Sequence, residues 1–470
     1  MMDWARSIAD RAAWQQATQR LHAGEASLLG LWAEPGFAHM ALMQSQACEV
    51  LTLACEQNRF PSVGRLHPPA IRLERAIRDL VGLEPEGSPD TRPWLRHGGA
   101  YPFLSAQGES LHQIPVGPVH AGIIEPGHFR FTANGETVVR LEARLGYVHK
   151  GIDALMAGAP IERAAVLAGR VSGDSTVAFA LAFALAVEAA LRVEAPPRAI
   201  WLRALAAELE RLANHLGDIG AVCNDAAFAV MHAQCGLLRE RVLRAAHACF
   251  GHRLMMDGVI PGGMQRDLPG EGGPLLLALV AHVRKSFPEL VELYEDTASL
   301  KDRTVGTGIL SGELARQFAA GGYVGRASGR DFDARRWPGY APYARLQFEV
   351  PMVHAGDVNA RIWIRIREVE QSIGLVEQIL RGLPSGGISI PIATSGSSGN
   401  REGLALVEGF RGDILAWVRI GPDGKIARCH LRDPSWFQWP LLEAAIEGNI
   451  VADFPLCNKS FNCSYSGHDL

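Results

Sequence analysis

The chain has 470 residues, with 46 Lys and Arg against 50 Asp and Glu, a formal charge of −4. So balanced a charge gives no electrostatic basis for wholesale nucleic-acid binding. Its 48% hydrophobic and 20% charged residues are a globular composition, and the length suits two or three domains, each with its own core.

Asp3, Arg6 and Asp10 interrupt any early apolar run, so no secretory leader is expected. The longest uncharged apolar run, Val177 to Val187, is too short to span a bilayer. The expectation is a soluble subunit, or one held at a membrane by others. The eight cysteines include no CxxC pair, which argues against a zinc ribbon or a cluster bound by close-spaced thiolates.

Residues 1–59 mix short helical and strand patterns, with strands expected at Leu28 to Trp32 and Ala38 to Met43. The prolines between Phe60 and Ala70 predict an extended, turn-rich segment. Ile71 to Val81 then places Leu73, Ile77, Leu80 and Val81 on one helical face. A Pro/Gly/Asp-rich stretch, Glu84 to Gly99, closes a first domain over residues 1–100.

The second domain, residues 101–470, opens with strands at Phe129 to Thr132 and Glu136 to Leu145. The Ala133-Asn134-Gly135 turn joins them as a hairpin. Helices are expected at 151–168, 175–192, 198–222, 226–251, 271–298, 310–319, 356–382 and 440–447. Residues 384–403 are Gly/Ser/Pro-rich and read as a loop. A late sheet follows at Leu404 to Glu408, Asp413 to Ile420 and Lys425 to Leu431. The fold class is α+β: a mainly helical core domain with a small hairpin and a late sheet, preceded by a shortened α+β domain.

The organising stretch is Gly169 to Glu188, GRVSGDSTVAFALAFALAVE. Its second half is apolar all round and so belongs in a core. Its first half offers Asp174 or Ser175 as a helix cap, beside Arg170. A buried helix N-terminus among small polar residues suits a negative ligand or redox centre, or is simply a capped core helix.

Three further stretches are rich in His, Arg and acids. Gly117 to Arg130 carries His120 and His128 among glycines, as a ligand-facing turn or a plain hairpin tip. Arg144 to Asp153 is a basic strand-to-helix junction. Arg211 and His215 lie near Asp225, as a proton relay or a solvated helix face. Cys457, Cys463 and His468 form a weak soft-metal trio near the C-terminus. No GxGxxG, GxxxxGK[ST] or GxSxG motif is present.

Six segments occur in one order: GPVHAGIIEPGHFRF, LEARLGYVHKGID, ERLANHLGDIG, DRTVGTGIL, GDVNARIWIRIREVEQS and LRDPSWFQWP. Together they resemble the large subunit of membrane-bound [NiFe] hydrogenases of the formate hydrogenlyase type, which is related to the quinone-site large subunit of respiratory complex I. FPSVGRLHPPAIRLERAIRDLVGLEPEGSPDTRP resembles the end of the smaller complex I subunit fused ahead of hydrogenlyase proteins.

Hydrogenases of that family hold nickel on two CxxC pairs, and here the matching positions read Ser172 and Ser175, then Ser464 and Gly467. A neutral hydroxyl does not replace a bridging thiolate between soft metals. The chain ends where those hydrogenases are trimmed after metal insertion, so no removable tail is expected. Arg411 matches the arginine placed over the metal, and Asp153 stands where a glutamate binds magnesium.

In complex I the emptied pocket takes quinone. The quinone tyrosine aligns with Gly173. The quinone histidine falls near Glu125 or Pro126, so that His120 or His128 takes its role, and its aspartate partner aligns with Asp225. The resemblance therefore implies a complex I-like oxidoreductase subunit without nickel or other metal. Arg170, Ser172, Ser175, Arg411 and Ser464 would line its pocket, and His120, His128, Asp225 and Asp174 would supply charge and protons. It further implies no cofactor bound by this chain, a quinone-like acceptor, and an iron–sulfur cluster in a small partner subunit. Integral membrane subunits and a dehydrogenase module would be the other partners, with the chain peripheral on the cytoplasmic face of the inner membrane. The alternatives are a catalytically silent scaffold and, least favoured, an active hydrogenase.

Overall fold

The computed structural model describes residues 4–106, 108–120, 124–393 and 399–470. Ala121, Gly122 and Ile123 of the expected ligand-facing turn, residues 394–398 of the expected loop, and Asp3 lie outside them.

The chain begins with a four-stranded sheet. Trp4–Ala9 pairs in parallel with Ala47–Ala54, which runs antiparallel to Phe37–Gln44 and so on to Ser27–Glu34. Gly36, at φ +83°, makes the tight turn between the last two, a conformation that suits a residue without a Cβ. Helix Arg11–His22 crosses the sheet. Asp10 caps it by accepting from the Ala13 amide at 2.7 Å, and Trp14 is fully buried with its indole N–H on the Pro61 carbonyl. The composition of residues 4–22 did not single out this strand and helix. Helix Ile71–Val81 follows as expected and stops at Gly82, whose left-handed φ of +76° returns its amide to the Arg78 carbonyl.

A second sheet of three antiparallel strands comprises Leu111–Val116, His128–Asn134 and Thr137–Arg144. The predicted hairpin is its second half, and the first strand was not anticipated. The single helix expected over 151–168 is two, Ile152–Met156 and Ile161–Ala168, because Pro160 ends one and starts the other. The helix expected at 440–447 begins earlier and spans Ser435–Ile446. Two short helices near the C-terminus, Phe454–Phe461 and Tyr465–Asp469, were not expected.

Helix Thr176–Leu191 is the axis of the molecule. Phe179, Phe183 and Val187 are fully buried, and each such side chain contributes roughly 1.5–3 kcal/mol. Gly173–Leu191 is long and apolar enough to cross a membrane, yet 78% of that window is buried, which marks it as a core helix. Helix Pro197–Asp225 packs against it and carries Val358–Gly382 on its other side, and the sheet Arg401–Gly409, Gly412–Ile420, Ile426–Arg432 covers it through its first two strands. Gly403 lets the first of these strands touch it, since a Cβ there would strike the Ala186 carbonyl.

A second core ignores the expected boundary at residue 100. Trp14, Phe60 and Trp94 from the first region share it with Phe129, Trp439 and Phe454 from the second. Arg72–Glu443 at 2.6 Å and Arg419–Glu34 at 2.6 Å tie the same two regions together.

Candidate functional site

Residues 170–175 form a short turn ahead of the axial helix. Neither Asp174 nor Ser175 caps it. Its free amides at Val177 and Ala178 are taken instead by the carboxylate of Glu210, at 2.7 and 3.1 Å. That frees Asp174 and both serines to face the chain's other end.

There the four positions that resemble nickel-ligand sites come together. Ser464 Oγ lies 3.2 Å from Ser172 Oγ and accepts from the Gly467 amide at 2.8 Å. Ser172 Oγ donates to Asp174 Oδ1 at 2.6 Å. Arg411, at the tip between two strands of the late sheet, closes the group. Its Nη1 and Nη2 grip both Asp174 oxygens at 2.8 and 2.6 Å, Nη1 reaches Ser175 Oγ at 3.2 Å, and Nε donates to the Asn462 carbonyl at 2.5 Å. A two-pronged pair of this kind is directional and charge-assisted. Ser172, Ser175, Ser464 and Arg411 are buried, and about a third of the Asp174 side chain, 35%, stays exposed.

Nickel does not fit this donor set. It consists of hydroxyls, a guanidinium and a glycine, the hydroxyls are bonded to one another, and a Cβ at Gly467 would strike Asp433 Oδ2. The cavity bordering Asp174 holds about 10 Å³, room for one water.

Asp433 was not singled out from the sequence, although it belongs to the segment LRDPSWFQWP. It is 1% exposed, its Oδ1 accepts from Ser435, and its Oδ2 has no partner among the described residues. Burial pushes its pKa up, against the opposing pull of Arg411. Asp174 moves the other way. Burial alone would raise it, but the Arg411 charge and hydrogen bonds hold it down at about 2. Two carboxylates beside one arginine are thus pushed apart, one held ionised and one biased toward its acid form, an arrangement that moves protons in other sites.

The remaining predicted residues lie elsewhere. Arg170 turns outward and pairs with Asp257 at 2.8 and 2.7 Å, away from the serines. His120 and His128 hold the turn at the edge of the second sheet: His120 Nδ1 lies 3.2 Å from the Pro118 carbonyl, and His128 Nδ1 is 3.2 Å from that of Gly117. That turn reaches the serine cluster through Glu125, which accepts from the Ser466 amide at 3.0 Å. Asp225 does not meet Arg211 or His215. Burial raises its pKa, and the charges opposing that are Lys459 and His232. Cys457 and Cys463 are buried, and His468 stacks on Trp436 and pairs with Asp469. Among the described residues no group of three metal-ligating side chains forms.

Arg211 and His215 join a separate buried network. His215 Nε2 lies 2.6 Å from Glu368, which is also bound by Arg326 at 2.5 Å. Arg326 reaches Glu408 at 2.9 Å and Asp333 at 3.4 Å, and Arg335 links Asp333 to Glu208 at 2.7 and 3.0 Å. Here burial and Asp333 push Glu408 up to about 7. Long-range pairs of this kind leave no spacing signature in the chain.

This architecture has relatives of known identity. Residues 225–397 match the family described as respiratory-chain NADH dehydrogenase, 49 Kd subunit, and residues 13–106 match the 30 Kd subunit. The chain is 32% identical over 440 residues to formate hydrogenlyase subunit 5 of Escherichia coli K12, covering 87% of this chain and 77% of that one. It is 31% identical over 352 residues to a subunit of the NADH-quinone oxidoreductase of Roseiflexus sp. RS-1, covering 73% and 94%. A chain of the membrane-bound sulfane sulfur reductase, an archaeal respiratory membrane complex, superposes with a TM-score of 0.72 at 25% identity, over 78% of this chain and all of that one. The chain belongs to the family of large subunits shared by complex I and the membrane-bound hydrogenases, with a 30 Kd-type region ahead of it.

Proposed function

We propose that this chain is the large subunit of a membrane-bound, complex I-like oxidoreductase that works without nickel. In this reading the Arg411–Asp174–Asp433 group couples electron arrival to proton uptake. The observation that supports it is the Asp174 carboxylate gripped by Arg411 with the buried Asp433, whose Oδ2 has no partner among the described residues, within reach of the same charge, where the positions resembling nickel ligands meet. Negative charge arriving from an iron–sulfur small subunit would raise the proton affinity of Asp433 further, so that the share of Asp433 still ionised would take up a proton and give it up again as the electron moved on to a quinone-like acceptor. Asp174 stays ionised and holds Arg411 in place. The closed serine cluster argues against an acceptor lodged between Ser172 and Ser464, so the acceptor belongs at the subunit's partner-facing surface, with His120 and His128 on the neighbouring turn. Through integral membrane partners, the complex would sit on the cytoplasmic face of the inner membrane.

The test is turnover of the purified complex with quinone, compared with an Asp433→Asn variant and with elemental analysis. The reading expects no nickel, and a turnover that loses its pH dependence in the variant. Stoichiometric nickel would overturn it. The closure of the cluster also favours a second reading, a silent scaffold joining a dehydrogenase to the membrane arm. Unchanged turnover in Asp433→Asn selects that one.

A further inference from the structure

The end of the region that matches the 30 Kd family makes a cleft with the second sheet. Pro93 to Phe103 lies across the end of strand Thr137–Arg144, and the cleft between them, about 240 Å³, is lined by no acidic residue. It includes Arg96, His97, Tyr101, His128, Arg144 and Tyr147. Gly146 makes the crossing feasible, since at φ +94° a Cβ there would lie 2.7 Å from His97 Nε2 and 3.2 Å from the Trp94 carbonyl.

Arg144 is the odd member. It is 2% exposed, yet forms no ion pair among the described residues. Nη2 donates to the Arg96 carbonyl at 2.7 Å, and Nη1 has no partner. Its guanidinium lies 4.6 Å from the centre of the Tyr101 ring, which supports a cation without neutralising it. The acids nearby are committed elsewhere. Asp90 binds Arg75 at 2.9 Å and Arg92 at 2.7 Å, Glu142 is also bound by Arg92, and Asp79 Oδ2 accepts from the amides of Trp94, Leu95 and Arg96. Asp79 acts on Arg144 only from a distance, and a buried guanidinium without a direct ion pair is costly, a cost that falls when an anion meets it.

We propose that this cleft is an anion site, which takes a phosphate or carboxylate group on the free prong of Arg144 with the exposed Arg96 closing over it. The planar fork suits either oxyanion. His97 fits the rim: its Nε2 is engaged by the Leu145 carbonyl at 3.0 Å, and its ring lies against that of Tyr147, with centroids 4.4 Å apart and planes tilted by 51°. Gly98 and Gly99 have no side chain to block approach, and Gly99 at φ +72° holds the turn open. The volume admits the anionic group with a short substituent. Its rim comes from the end of the 30 Kd-type region and its anchor from the strand Thr137–Arg144.

The experiment titrates inorganic phosphate into the full chain by calorimetry at fixed ionic strength. Chloride is the matched control and acetate tests the carboxylate source. A saturable phosphate or acetate isotherm above chloride is expected, weakened about tenfold in Arg144→Gln by loss of one charge-assisted fork. If Arg144→Gln does not fold, the exposed Arg96→Ala serves, with a loss of about threefold or more expected. No saturable binding over chloride, or wild-type affinity in the folded variants, overturns the proposal. Because it reads binding and not turnover, its failure is separate from failure of the proton-coupling reading.

Discussion

Two buried arginine clusters lie within one helical core, and they differ in completeness. Around Arg326 every carboxylate has a cationic partner: Glu368, Glu408 and Asp333 surround it, and Arg335 and Glu208 close the far side, all essentially without solvent contact. Around Arg411 the pairing is open. Asp174 keeps a third of its side chain in contact with solvent, and Asp433 Oδ2 has no partner among the described residues. A saturated network fixes a shape, because no proton or ligand can enter without breaking a pair. The open cluster differs in access: Asp174 touches solvent, whereas Glu408, pushed up to about 7 in the closed one, is sealed among its partners.

The comparison breaks most severely at the saturated cluster. Arg326→Met strands the buried Glu408 and takes one partner each from Glu368 and Asp333, and a loss of about 3–5 kcal/mol is expected in a denaturant titration. A variant as stable as the parent would mean that those acids already share protons. Asp174→Asn comes next. It removes the ionised member of a pair that is partly solvent-screened, so about 1 kcal/mol of stability is expected to go, and Asp433 is expected to ionise at lower pH as Arg411 turns to it. Infrared titration of the carboxyl band reads the second effect.

A third prediction separates folding from function. Glu210, buried at the start of the axial helix, has its pKa raised from 4.5 to about 8, chiefly by burial. The folded state then holds a proton that the unfolded chain has released. Glu210 therefore stabilises fully below about pH 4.5, and that contribution is lost as pH rises toward about 8. In Glu210→Gln the slope of stability against pH over that window should flatten; an unchanged slope would show that Glu210 stays ionised on its two amides. The smallest effect belongs to Arg170→Ala. Its pair with Asp257 is exposed, so a change below about 1 kcal/mol is expected, with turnover unaltered.

How much of this was legible follows from the kind of signal each part leaves. The axial helix was legible because an unbroken apolar run has few other places to go. Ser172, Ser175, Ser464 and Arg411 were picked out by the resemblance to the hydrogenase family's motifs, and the structure brings them together. Arg170 lies in the same motif but points away, since spacing fixes a backbone position and not the direction of a side chain. His215 was matched with Asp225 because the two are near in sequence. Its partner, Glu368, is 153 positions away, where only folding could bring it. Glu210 and Asp433 escaped for the same reason. Each completes its role with a group from a distant element, and neither stands out as a lone acid in a helical or turn pattern.

Gly467 sets what this corner of the molecule can hold. A side chain there would run into Asp433 Oδ2 and would lie 2.9 Å from Ser464 Oγ. A thiolate at that position therefore requires Asp433 to move first, so the packing around one glycine blocks a four-thiolate metal site however the three serines are changed.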